Sequence, residues 1–103
     1  MAKKKKQSKI TKSARNEACA IRLPSICTFN DEQTVFCHIN TVFKGVGLKS
    51  PDLFGVYGCA ACHDVLDNRR KHDFSEAEIY EATLDALVET QSKLVDKGFL
   101  KVV

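Results

Sequence analysis

Residues 34–39, Thr-Val-Phe-Cys-His-Ile, are β-branched and aromatic, and the run predicts a β-strand. Alternation would place Val35, Cys37 and Ile39 on one face and Phe36 and His38 on the other. A loop carrying Gly45, Gly47 and Pro51 follows. A strand pattern resumes over 53–57, so the two strands are expected to pair across that loop. A helix is expected from about 60 to 70. From residue 75 the apolar period changes to that of a helix, with Ile79, Thr83, Leu87 and Leu94 as a stripe supported by Tyr80, Leu84, Val88 and Val95. Ser75 and Glu78 have capping-box spacing, and Phe74 and Ile79 have hydrophobic-staple spacing. Gly98 fits the C′ position that ends such a helix. Residues 99–103 predict a short closing strand. Glu76, Glu78, Glu81, Asp85 and Glu89 make the outer face of the long helix acidic. That face would repel DNA, so the helix is assigned a packing role, with a protein-binding surface as the alternative.

The other end of the chain has a different pattern. Residues 1–12 contain one apolar residue, Ile10, besides Met1 and Ala2. They predict a disordered basic arm. Residues 13–18 predict a short helix or turn leading to Cys19, and Pro24-Ser25 mark a turn before Cys27. The expected organisation is one domain over 13–103, with a core over 13–72 and a terminal helix over 75–97. So small a core buries limited apolar surface and commonly needs a metal or disulfides.

The net charge of +3 conceals a division. Lys3, Lys4, Lys5, Lys6, Lys9, Lys12 and Arg15 all precede the first acid, leaving nine basic against thirteen acidic residues in the remainder. The arm could anchor to phosphates by releasing counterions. The bland alternative is a solvated tail. No run is long or apolar enough to span a membrane, and the start shows no signal-peptide pattern. A reducing cytoplasm is therefore the expected location. There, five cysteines at 19, 27, 37, 59 and 62 read as metal ligands sooner than disulfides. The odd count also argues against a closed disulfide framework, the extracellular alternative.

Cys59-Ala-Ala-Cys62 can supply two thiolates to one Zn²⁺, and Cys19 with Cys27 would complete a tetrahedral four-cysteine site. The Cys19/Cys27 gap is wider than the usual two to four residues, and Cys37 is a possible substitute ligand. His63, next to Cys62, points roughly 100° away on a helix. Asp67 lies one turn further on the same face, so His63 and Asp67 can share a divalent ion. The alternative makes His63 a zinc ligand or a helix cap. His38 is the candidate general base, because imidazole can take a proton from water near neutral pH. Lys44, Lys49, Arg69 and Arg70 are the candidate phosphate contacts. Thiol redox chemistry through Cys59 and Cys62 would need a βαβ setting that the pattern lacks.

Ala-Arg-Asn-Glu-Ala-Cys, Ile-Arg-Leu-Pro-Ser-Ile-Cys, Cys-His-Ile, Gly-Val-Gly-Leu-Lys-Ser-Pro-Asp-Leu and Cys-Ala-Ala-Cys-His-Asp occur in that order between residues 14 and 64. This order resembles the HNH, or ββα-metal (His-Me finger), nuclease superfamily. More closely, it resembles the small phage- and prophage-encoded YbcO-type nucleases. The resemblance implies an α+β fold: a zinc-stabilised ββα-metal core with a β-hairpin, a metal-site helix and a C-terminal packing helix. It implies an endonuclease hydrolysing DNA, with His38 as general base, His63 as ligand of a catalytic Mg²⁺, Mn²⁺, Ni²⁺ or Zn²⁺, and a structural zinc on Cys19, Cys27, Cys59 and Cys62. Asp52 would stand at the central asparagine position, steadying the loop and the base. Cys37 stands where many HNH enzymes place an acid or histidine ligand. The expected partner is nucleic acid, with a homodimer possible and no membrane. The other reading is a non-catalytic zinc module binding nucleic acid or a phage or host protein.

Overall fold

The computed structural model describes residues 8–39 and 52–101. Strands β1 (Thr34–His38) and β2 (Gly55–Cys59) pair antiparallel, with Thr34 opposite Cys59 and His38 opposite Gly55. A single 3₁₀ turn precedes each strand, Asp31–Gln33 and Asp52–Phe54. The second turn delays β2 by two residues from its expected start at 53.

Strict alternation of faces does not hold in β1. Thr34, Phe36 and Cys37 are all buried, and Val35 alone is exposed. The two glycines of β2 explain this. A Cβ on Gly55 would clash with the Phe36 ring, and one on Gly58 would lie 2.5 Å from Ile21 and 3.0 Å from the Cys37 sulfur. Their absent side chains let neighbours lie flat on both sides of the hairpin. All five residues of β2 are buried.

The outer edge of β2 is also covered. The Tyr57 carbonyl accepts from Ala20 N–H at 2.8 Å, and the Tyr57 N–H donates to the Thr90 hydroxyl at 3.0 Å. Polar groups at a buried edge need such partners. The first contact brings the loop around Cys19 onto the sheet. The second fixes the terminal helix.

Chain direction reverses directly from β2 into the short helix α2 (Ala60–Leu66). It ends four residues earlier than the expected 70. Asp67 is its C-cap and Asn68 takes a left-handed conformation, φ 58°, which asparagine tolerates better than most residues.

The terminal helix runs Glu76–Asp96, with both hydrogen bonds of the Ser75/Glu78 capping box formed. Gly98 (φ 80°) closes it. Gly98 N–H donates to the Val95 carbonyl at 3.0 Å and Phe99 N–H to the Leu94 carbonyl at 2.9 Å, a Schellman pair. Residues 99–101 form no strand; 102 and 103 lie outside the described residues. The helix buries Ala86, Thr90 and Leu94, whereas Tyr80, Leu84, Val88 and Val95 remain exposed. The apolar arc expected to pack is wider than a two-stranded sheet can cover.

At the N-terminus, Lys9–Lys12 form one helical turn capped by Ser8, within the stretch expected as an arm. Among the described residues the α-helices in chain order are thus α1 (Lys9–Lys12), α2 (Ala60–Leu66) and α3 (Glu76–Asp96). The segment behind α1 is tied down. The Ser13 hydroxyl bonds the Tyr57 hydroxyl at 2.7 Å, and Lys97 Nζ donates to the Ser13 carbonyl and pairs with Glu17. No described helix is long and apolar enough to cross a membrane.

Candidate functional site

Four thiols converge at the junction of the 19–27 loop, β2 and α2. The sulfurs of Cys19, Cys27, Cys59 and Cys62 all lie within 4.8 Å of one another, and none is in a disulfide. A tetrahedral zinc with bonds near 2.3 Å has sulfur–sulfur edges of about 3.8 Å. The Cys59–Cys27 separation is 3.9 Å, so the donor set fits an ion such as zinc. Local structure prepares this geometry. Cys59 ends β2 and caps α2, where its sulfur accepts the Cys62 N–H at 3.4 Å. The 19–27 loop turns back through left-handed residues Arg22 (φ 48°) and Ser25 (φ 63°), with Cys27 N–H donating to the Leu23 carbonyl at 2.9 Å.

Protonation follows the crowding. Cys19 is held down at about 4, chiefly because Cys62 donates to it, and Cys62 is pushed up by the same bond. Burial pushes Cys27 up to about 11. A thiolate already favoured among its neighbours is what a divalent ion needs. Cys37 stands apart. Its S–H faces the Val35 and Gly58 carbonyls at 3.8 and 3.9 Å, and burial keeps it protonated.

The second group lies at the loop end of the hairpin. His38 Nε2 is 2.7 Å from Asp52 Oδ1, and the Ser8 hydroxyl donates to Asp52 Oδ2 at 2.6 Å. A carboxylate accepts only, so Nε2 carries the proton and Nδ1 holds the lone pair of the neutral ring. Phe36 sets its edge against the imidazole, ring centres 5.2 Å apart. His38 is thus clamped by β1, Phe36 and the turn holding Asp52.

On α2, His63 Nε2 lies 3.1 Å from Asp67 Oδ2, as the i, i+4 spacing predicts. The same oxygen pairs with Arg69 Nη2 at 3.1 Å, and Arg69 also reaches Asp64 at 3.3 Å. Asp67 is close enough to β1 for its charge to raise the Cys37 thiol further. Arg69, expected on phosphate, is therefore occupied by two carboxylates. Arg70 is exposed and lines a surface depression with Lys71 and His72. Lys44 and Lys49 lie outside the described residues. The third histidine, His72, stacks on Phe74 and accepts its N–H at 3.1 Å.

Sequence reasoning missed Ser8 and the engagement of Arg69. Ser8 is 44 positions from Asp52, and no local pattern links them. For Arg69 a signal existed: two acids, at 64 and 67, lie within five residues of it.

Fold and site together define a small α+β protein in which a hairpin feeds a short helix, four thiols suit a metal ion, and two histidines each meet a carboxylate. The chain belongs to the family described as "Putative nuclease YbcO", whose model matches residues 8–99. It is 37% identical over 93 residues to the protein of that description from Escherichia coli (strain K12), covering 89% of this chain and 96% of that one. A relative of the same description from Enterobacteria phage 82 matches to the same extent. A solved structure, described as "Structure of a putative bacteriophage protein from Escherichia coli str. K-12 substr. MG1655", superposes with a TM-score of 0.71 at 32% identity. That match covers 86% of this chain and 99% of the other.

Proposed function

We propose that this protein is a metal-dependent endonuclease of the HNH type that hydrolyses phosphodiester bonds in DNA. The observation that carries the reading is the His38–Asp52 pair at 2.7 Å, together with the His63–Asp67 pair on α2, the helix that packs against β1. The relatives' description as nucleases supports it.

Nδ1 of His38 takes a proton from water. The water oxygen attacks phosphorus as the bond to the 3′ oxygen breaks, and the leaving oxygen departs with the electron pair and gains a proton. Asp52 keeps the ring oriented and stabilises the imidazolium that forms. His63 and Asp67 would hold a divalent cation, which supplies charge neutralisation at the leaving oxygen and the phosphoryl group. Cys19, Cys27, Cys59 and Cys62 would hold a structural zinc, whose binding energy is coupled to folding. Lys9, Lys12, Arg15 and Arg70 are exposed cations for phosphate.

A second reading, a non-catalytic zinc module that binds nucleic acid, draws on one observation. Arg69 occupies the Asp67 oxygen that the cation would use. The two are separated by incubating supercoiled plasmid with the protein and Mg²⁺, Mn²⁺ or Ni²⁺. Nicking that needs added metal supports the nuclease; binding with no nicking under any metal supports the module.

A further inference from the structure

The Ser8 hydroxyl makes three contacts. Its oxygen accepts the Thr11 N–H at 3.1 Å, capping α1, and lies 3.0 Å from the Thr11 hydroxyl, while its proton goes to Asp52 Oδ2, which only accepts, at 2.6 Å. The other Asp52 oxygen holds His38 Nε2 at 2.7 Å. The Ser8 bond adds a restraint on the terminal torsion of a carboxylate that presents its other oxygen to the ring. The bond spans 44 residues, so it also joins the N-terminal segment to the turn before β2. That segment is itself anchored at Ser13 and Glu17.

We propose that Ser8 is a positioning residue of the His38 site, and that the Ser8–Asp52–His38 chain makes the N-terminal segment part of the hydrolytic centre. The inference rests on the proposed role of His38 as general base. It gives the basic segment a second use. Lys9 and Lys12 are exposed on the turn that Ser8 caps. Phosphate held there is held by the same element that orients the imidazole. The signal is invisible in the primary pattern, where Ser8 is one polar residue among lysines.

Three substitutions in the full chain separate positioning from capping. Ser8→Ala removes both roles. Ser8→Asp keeps a good N-cap acceptor but cannot donate to Asp52. Ser8→Thr keeps both. Plasmid nicking with Mn²⁺ is expected to show kcat reduced about tenfold or more in Ser8→Ala and Ser8→Asp, with KM for DNA little changed, and the rate restored in Ser8→Thr. A Ser8→Asp protein as fast as wild type would reduce Ser8 to a helix cap and overturn the proposal, as would an undiminished Ser8→Ala. A second readout does not depend on cleavage. Nitrogen-15 NMR of the His38 ring should give the Nε2–H tautomer in wild type and in Ser8→Thr, and a mixed population in the other two. Unchanged ring signals in Ser8→Ala and Ser8→Asp would overturn the proposal even if the wild type cleaves nothing. An inert wild type, by itself, counts against the nuclease reading.

Discussion

Asp67 is the residue whose surroundings say most about how the candidate centre would switch on. Its Oδ2 is shared between the His63 ring and the Arg69 guanidinium, both at 3.1 Å. A guanidinium and a divalent cation would compete for that oxygen's negative charge. Arg69→Gln is therefore expected to tighten Mn²⁺ binding about threefold or more, because one competing positive charge is removed. Titration calorimetry checks this, and weaker binding would mean that Arg69 supports the site. His63→Ala should weaken the same binding, with raised Mn²⁺ partly restoring cleavage. Most of this chemistry was legible residue by residue. The His63–Asp67 spacing is local, so sequence alone places the pair on one face. The His38–Asp52 pair needed the family resemblance, because a loop separates its members. Ser8 was not legible at all, since nothing in a lysine-rich stretch marks which polar residue folds back.

Among the elements, the terminal helix was the most readable and the most misleading. Its capping box and its terminal glycine are both used. Yet the buried face centres on Ala86, Thr90 and Leu94, and three of the residues expected to support the stripe, Tyr80, Leu84 and Val88, are exposed. Helical periodicity finds an apolar arc; the size of the opposing sheet decides how much of it is buried. Thr90 illustrates the gap. A threonine inside an apolar stripe reads as incidental, but it accepts the Tyr57 N–H at the edge of β2. Thr90→Val, nearly isosteric, should cost about 1–3 kcal/mol in urea unfolding, because a buried donor loses its acceptor. A neutral result would mean that the edge finds another partner. The helix also pins the cysteine loop, through Arg22 and Glu89 at 2.8 and 2.9 Å. The Arg22 guanidinium holds the Glu89 carboxyl below its ordinary range. A lowered carboxylate contributes stability above its unfolded pKa, about 4.3, and loses it as the pH falls through the folded value. The pair is partly exposed, so Glu89→Gln should cost only about 0.5 kcal/mol at pH 7. That difference should shrink as the pH falls below about 4.3, through the lowered folded value.

For the molecule as a whole, the four-thiol cluster and the basic segment would do different work. The four-thiol cluster joins the 19–27 loop, β2 and α2, which the small apolar core would hold weakly alone. Cys59→Ser should release the ion or unfold the domain, as circular dichroism and metal analysis together would show; a well-folded protein with no bound metal would remove the structural role. Deleting residues 2–7 takes away four lysines and leaves Ser8 in place. The dependence of log K for DNA on log salt should become shallower, by up to about 3–4 if all four reach phosphate. An unchanged slope would make that stretch a solvated tail. The Cys59/Cys62 half of the cluster could be expected from spacing, and Cys19 and Cys27, whose gap is wide, from the need of metal ligands to meet at one point, which is a strong constraint on few residues. The end of α2 could not, because a left-handed asparagine leaves little trace beside a glycine or proline. The central claim is that His38 acts as the base in a centre that folding and the thiol cluster build without it. The most direct measurement is the nicking rate of supercoiled plasmid by His38→Ala against wild type, with metal content and circular dichroism matched. The account predicts a loss of about 10²–10⁴ in rate with fold and bound metal unchanged. A folded, metal-loaded His38→Ala protein that cleaves as fast as wild type would contradict it.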